Sequence, residues 1–139
     1  MEWEVLAENA EIPAKPRGVW TRVLEFVAAG STIKIEVRDA EKAAWNYAAG
    51  KGCSADGDAT SLISRSSCVN VKAPVGALIG KMGGSTAGVD TDGTIFVAGS
   101  WCVVAVTAGG PLYLTINDEE SGMWNNSGSM VVTVSKQKS

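Results

Sequence analysis

The chain has 139 residues, 45% of them apolar and 19% charged, a composition that folds around one hydrophobic core instead of staying disordered. The 12 basic residues are scattered among 15 acidic ones for a net charge of -3, which argues against a nucleic-acid partner. The absence of histidine excludes serine-histidine triads, cysteine-histidine dyads and histidine-based metal catalysis.

Residues 1–10 include Glu2, Glu4 and Glu8 but no basic residue, so no secretory signal is read there; a cytoplasmic protein, or one released without a conventional signal peptide, is expected. Strands are predicted at Trp3 to Ala7, Val19 to Val27 and Ile33 to Val37, with Pro13 and Pro16 marking an irregular connection between the first two. In the third, Ile33, Ile35 and Val37 alternate with Lys34, Glu36 and Arg38, as in a sheet with one wet face. Asp39 to Ala49, rich in Ala, Glu and Lys, reads as a short helix stopped by Gly50, or as a loop. Cys53 to Val71 is a long polar loop of the kind that carries binding sites at the end of a sandwich.

A fourth strand is predicted at Ala77 to Met82. Asp90, Asp92 and Gly93 partly match a calcium loop, but the glycine comes two positions early and no glutamate follows at the required place; a hairpin turn is the better account. The run from Thr94 to Ile116 is uncharged over about the length that spans a bilayer. Gly99, Gly109-Gly110-Pro111 and many β-branched residues divide it into buried strands and a turn, without membrane insertion. Candidate strands at Ile95 to Val97, Val103 to Thr107, Tyr113 to Ile116 and Met130 to Val134 bring the total to eight. The expected fold is all-β, a two-sheet antiparallel β-sandwich forming a single domain over residues 1–139.

Cys53, Cys68 and Cys102 are odd in number and lack C-x-x-C spacing, which favours reduced thiols, with one bridge and a leftover thiol as the alternative. Cys68 and Cys102 lie in or near apolar strands and should act as small hydrophobes; Cys53, among Gly and Ser, is expected to label readily. Asp56 and Asp58 are the pair of acids that glycoside hydrolysis would need, but a solvated turn explains them better, and no enzyme is expected.

Asn117 to Gly128 joins two apolar strands and packs Asp118, Glu119, Glu120, Asn125 and Asn126 together with no basic residue. Carboxylate, amide and main-chain oxygens are the ligands that a hard cation such as calcium takes. On composition alone, a hairpin loop with its carboxylates in water is favoured over a metal site.

The same stretch resembles the calcium-binding loop of the bacterial galactophilic lectins, the LecA-like family. Asn117-Asp118, a six-residue spacer and Asn125-Asn126-Ser127-Gly128-Ser129 match that loop, and Met130 to Ser139 is similar to the family's last strand and tail. Gly76-Ala77-Leu78-Ile79-Gly80-Lys81-Met82-Gly83 resembles a family strand, Trp3 to Asn9 resembles its first strand with a shortened gap, and Tyr47 and Gly57-Asp58 stand at the family's separation. The likeness is weak over residues 10–32 and 84–110. It implies a galactose-binding-domain-like, jelly-roll-like sandwich with Ca2+ held by the side chains of Asp118, Asn125 and Asn126 and the carbonyls of Tyr47 and Gly122. Two sugar hydroxyls would complete about seven oxygens, within the range calcium accepts.

The implied sugar shell comprises Asp118, Glu119, Gly122 and Asn125, with Ser61 and Ser64 where the family places a His and a Gln. These shorter side chains make a galactoside-like ligand with altered specificity the expectation, and Glu119 and Glu120 disfavour acidic sugars. Trp124 either stacks on a sugar face or packs in the core. The resemblance also implies a homo-oligomer, a tetramer in the family. A calcium-dependent lectin leads, ahead of a β-sandwich adhesion or toxin-associated module that has lost sugar binding, with a hydrolase third.

Overall fold

The structure is a computed structural model that describes residues 2–39, 45–48, 50–58, 69, 73–84, 93–118 and 120–138. Ten strands follow in chain order: β1 (Trp3–Pro13), β2 (Thr21–Val27), β3 (Thr32–Val37), β4 (Trp45–Asn46), β5 (Gly52–Cys53), β6 (Leu78–Met82), β7 (Thr94–Val97), β8 (Trp101–Ala105), β9 (Gly110–Ile116) and β10 (Ser127–Gln137). They form two antiparallel sheets, the all-β sandwich expected from the sequence, and each of the eight predicted strands overlaps one of them.

In the six-stranded sheet β10 is the spine. It pairs with β1 along one edge, and on the other its start pairs with β4 while its later half pairs with β3. β8 extends this sheet beyond β3, and β5 extends it beyond β4. The second sheet runs β2-β9-β6-β7. Ile33, Ile35, Met130, Val132 and Val134 of the first sheet and Leu78, Leu112, Leu114 and Ile116 of the second belong to one buried cluster. Each such side chain contributes roughly 1.5–3 kcal/mol on leaving water.

The alternation read in β3 holds: Ile33, Ile35 and Val37 are buried, while Lys34 forms an ion pair with Glu36 at 3.3 Å and lies 4.6 Å from the centre of the Trp3 ring. On β6, Lys81 is fully buried with its Nζ 5.2 Å from the ring centres of both Trp20 and Tyr113. Two electron-rich faces offset part of the cost of taking an ammonium out of water.

Two expectations need correction. The helix over Asp39 to Ala49 is absent from its described residues: Asp39 has φ +53°, and Trp45 and Asn46 pair with Gly128 and Ser127. Burial of Trp45 and this pairing override the helix-forming composition. The uncharged Thr94 to Ile116 run forms β7, β8 and β9, but only β9 is buried along its length. β7 and β8 are sheet edges with Val97, Trp101 and Val103 exposed. Among the described residues no helix is long and apolar enough to cross a membrane.

Candidate functional site

The acidic loop leaves β9 of the second sheet at Ile116 and enters the six-stranded sheet at Ser127, the start of β10. Its first residue, Asn117, is a clamp: the backbone N–H donates to Ala77 O (2.8 Å), the carbonyl accepts from Gly76 N (2.7 Å), and Nδ2 donates to Ala73 O and Pro74 O, both at 3.0 Å. Asp118 follows at 3% exposure, with its Oδ2 sealed from solvent and its carbonyl accepting from Val69 N at 3.1 Å. A carboxylate so placed leaves water only where other groups receive its charge.

Beyond it the chain forms a short 3-10 helix, Glu120–Asn125, which contains Gly122. Met123 plugs this turn into the core, whereas Trp124 and Asn125 are exposed. Asn126 then turns inward. Its N–H donates to Met123 O at 3.1 Å, and its Nδ2 donates to Ala14 O at 2.9 Å. The second bond fixes which end of the amide is nitrogen, so the Oδ1 is the acceptor left over. That oxygen is buried and receives no hydrogen bond among the described residues.

Tyr47 is brought to the same end of the sandwich by β4, whose Trp45 and Asn46 pair with the first residues of β10; Asn46 Nδ2 also donates to Ser127 Oγ at 3.1 Å. The Tyr47 N–H donates to Lys51 O (3.1 Å), and its hydroxyl donates to Asp58 Oδ2 (2.7 Å). Gly76 ties the parts together. Its carbonyl accepts from Trp45 Nε1 at 2.9 Å and from Cys53 Sγ at 3.5 Å, while its N–H holds Asn117. Gly76 has φ +84°, and a Cβ there would lie 2.5 Å from Cys53 Sγ and 3.1 Å from Tyr47 Cδ1. Only glycine combines that backbone with such crowding.

Tyr47, Asp118, Gly122, Asn125 and Asn126 are therefore carried on segments that Gly76, Asn117 and the start of β10 link. Ser61, Ser64 and Glu119, like Asp90, Asp92 and Cys68, lie outside the described residues. Sequence reading missed Trp45 and Ala14 and took Gly76 only as the start of a strand motif; all three frame the loop by long-range bonds that leave no local pattern. Asp56 lies exposed in a turn, as expected, and accepts there from Ser100 N (2.9 Å) and Ser100 Oγ (3.2 Å), whereas Asp58 is half-buried and accepts from the Tyr47 hydroxyl.

Among the described residues no three His, Cys, Asp or Glu side chains cluster, so any cation here would rely on one buried carboxylate with amide and carbonyl oxygens. That donor set suits calcium and is poor for zinc or copper. Cys53 is buried, contrary to the expectation of a readily labelled loop residue, because β5 pairs it with Trp45. Burial raises its pKa to about 11, against a lowering from the Trp45 side chain and a further rise from Asp58. Cys102, half-buried on β8, is likewise raised to about 11 by burial.

No protein-family model matches this chain, and no curated protein matches it in sequence. Among solved structures it is similar to one described as "EclA N-terminal domain; PllA-like lectin", with a TM-score of 0.65 and 17% identity over 96% of this chain and 98% of that one. The likeness is one of fold: the two chains share the sandwich architecture over nearly their whole lengths.

Proposed function

We propose that this protein is a calcium-dependent carbohydrate-binding lectin, with the metal held by Asp118, Asn125, Asn126 and the carbonyls of Tyr47 and Gly122. Galactosides or related neutral glycans are the ligand. The observation that carries this reading is the buried Asn126 Oδ1, which receives no hydrogen bond among the described residues while its own Nδ2 is spent on Ala14. An amide oxygen in that state stabilises the fold only if something electropositive meets it. Calcium, when bound, would present further coordination positions to a pair of sugar hydroxyls. The chain's part is to hold the amides, carbonyls and carboxylate still, and the bonds to Ala14, Gly76 and Ala77 do so. The likeness in fold to a lectin domain supports the sugar-binding half of the proposal.

Assembly into a homo-oligomer, a tetramer as in the resembling family, completes the proposal, since several weak sites on one particle give useful avidity. A glycan array probed in calcium and again with chelator tests it. Binding to neutral glycans that chelation removes is the expected result. A protein that binds no glycan under either condition would be an adhesion module without sugar recognition, and the lectin proposal would fall.

A further inference from the structure

Trp124 is 70% exposed, which rules out core packing for its ring. Its neighbours explain how the ring is held outward. Met123 is buried in the core, and the Met123 carbonyl accepts from Asn126 N at 3.1 Å, so the turn that presents the indole is anchored immediately before and after it. Trp45 and Trp20, by contrast, are buried. Keeping an indole in water forgoes burial of roughly 150–250 Å² of aromatic surface. A loop with its adjacent residue already in the core gives that up at Trp124.

The surroundings are polar in a specific way. Asn125, next in the chain, is exposed, and so is the hydrogen bond from Asn46 Nδ2 to Ser127 Oγ. The exposed indole thus belongs to a loop end, Trp124 to Ser127, that also presents amide and hydroxyl groups to water. A hexopyranose has the matching pair of properties: one face of C–H bonds and a rim of hydroxyls that both donate and accept.

We propose that Trp124 is the stacking platform on which a pyranose ring rests at this loop, and that it sets selectivity toward neutral pyranosides having an uninterrupted C–H face. The proposal deepens the calcium-lectin reading and rests on it. The indole acts on the sugar alone and takes no part in metal binding, so the two contributions separate experimentally.

The test uses the full chain, unmodified and as Trp124→Ala and Trp124→Phe. Each is titrated by calorimetry with the methyl glycosides of galactose, fucose, mannose and glucose in calcium, and each is melted with calcium and with chelator. Because the side chain is exposed, both variants should fold and keep the full calcium-dependent rise in Tm. Trp124→Ala is expected to lose about tenfold in affinity for the best glycoside, and Trp124→Phe to retain most of it, since a smaller ring still stacks. Affinity of Trp124→Ala within twofold of the unmodified protein would overturn the platform while leaving the lectin reading intact. Failure of the unmodified protein to bind any of the glycosides or to respond to calcium would overturn both.

Discussion

The side-chain amide of Asn126 donates to the carbonyl of Ala14 at 2.9 Å, tying the end of the acidic loop to the residue that follows the first strand. Ala14 returns the tie by donating its own N–H to Gly128 O at 3.0 Å. The loop therefore cannot swing its amide oxygen outward to water without breaking a buried bond, and in the lectin proposal calcium is what meets the oxygen left inside.

Calcium should raise the melting temperature of chelator-treated protein. A ligand at about 100-fold its Kd stabilises by roughly 2.7 kcal/mol, a rise of several degrees for a chain of this size. Asp118→Ala should abolish the rise, since it removes the only buried carboxylate proposed as a ligand. Differential scanning calorimetry decides the matter; equal melting temperatures with calcium and with chelator in the unmodified protein would mean that the site does not bind the ion.

Gly76→Ala should weaken both stability and calcium response. The added methyl meets Cys53 Sγ at 2.5 Å and Tyr47 Cδ1 at 3.1 Å, on a backbone at φ +84°. The loss should be about 1–3 kcal/mol from crowding and backbone strain together. Adding Cys53→Ala relieves the sulfur contact but not the strain, so the double variant should recover part of the loss. Urea melts of the three proteins measure this; a Gly76→Ala variant as stable as the parent would contradict the crowding described.

The strands were legible because their signal is local: β3 alternates, and β9 opens on Gly110-Pro111 and runs on as a short apolar stretch ended by Asn117-Asp118. Two errors share one cause. Trp45 sits among helix formers and Cys53 among Gly and Ser, yet the two pair with each other across β4 and β5 and pack against Gly76. Gly76 is 31 residues from Trp45 and 23 from Cys53, too far for a local pattern to announce it, and tertiary packing overrides propensity when a Trp is buried outright. The acidic loop stood out by its oxygen-rich composition, which alone favoured a solvated hairpin; the spacing shared with the resembling family made it a candidate site. That Asn126 points inward and Trp124 outward depends on Met123 and Ala14, which composition does not rank.

Cys53 should resist thiol reagents in the folded state, because the thiolate is the reactive form and burial holds the thiol pKa at about 11. The same shift has a consequence for stability. The ordinary value is 9.0, so between about pH 9 and 11 the unfolded chain sheds protons that the folded one keeps. The stabilisation is complete below pH 9 and fades as pH rises through 11, with Cys53 and Cys102 acting in the same direction. Replacing both by Ala should flatten that part of the stability curve, measured by urea midpoints across the range. Rapid modification of Cys53 at neutral pH in native protein would contradict the burial.

Affinity for plain galactose should be weak and should improve when longer polar side chains are restored at two positions. Calcium can hold two neighbouring hydroxyls of many sugars, so discrimination depends on groups that meet the remaining hydroxyls. In the lectin proposal those positions carry Ser61 and Ser64, whose short hydroxyls reach less far than the His and Gln of the resembling family. Each missing partner costs on the order of 1–3 kcal/mol, roughly ten- to a hundredfold in Kd. Calorimetry with methyl galactoside on the parent, Ser61→His, Ser64→Gln and the double variant should show stepwise tightening, with the calcium-induced Tm rise unchanged throughout. Tight galactoside binding by the parent that neither replacement alters would show that this chain meets the distal hydroxyls through other groups.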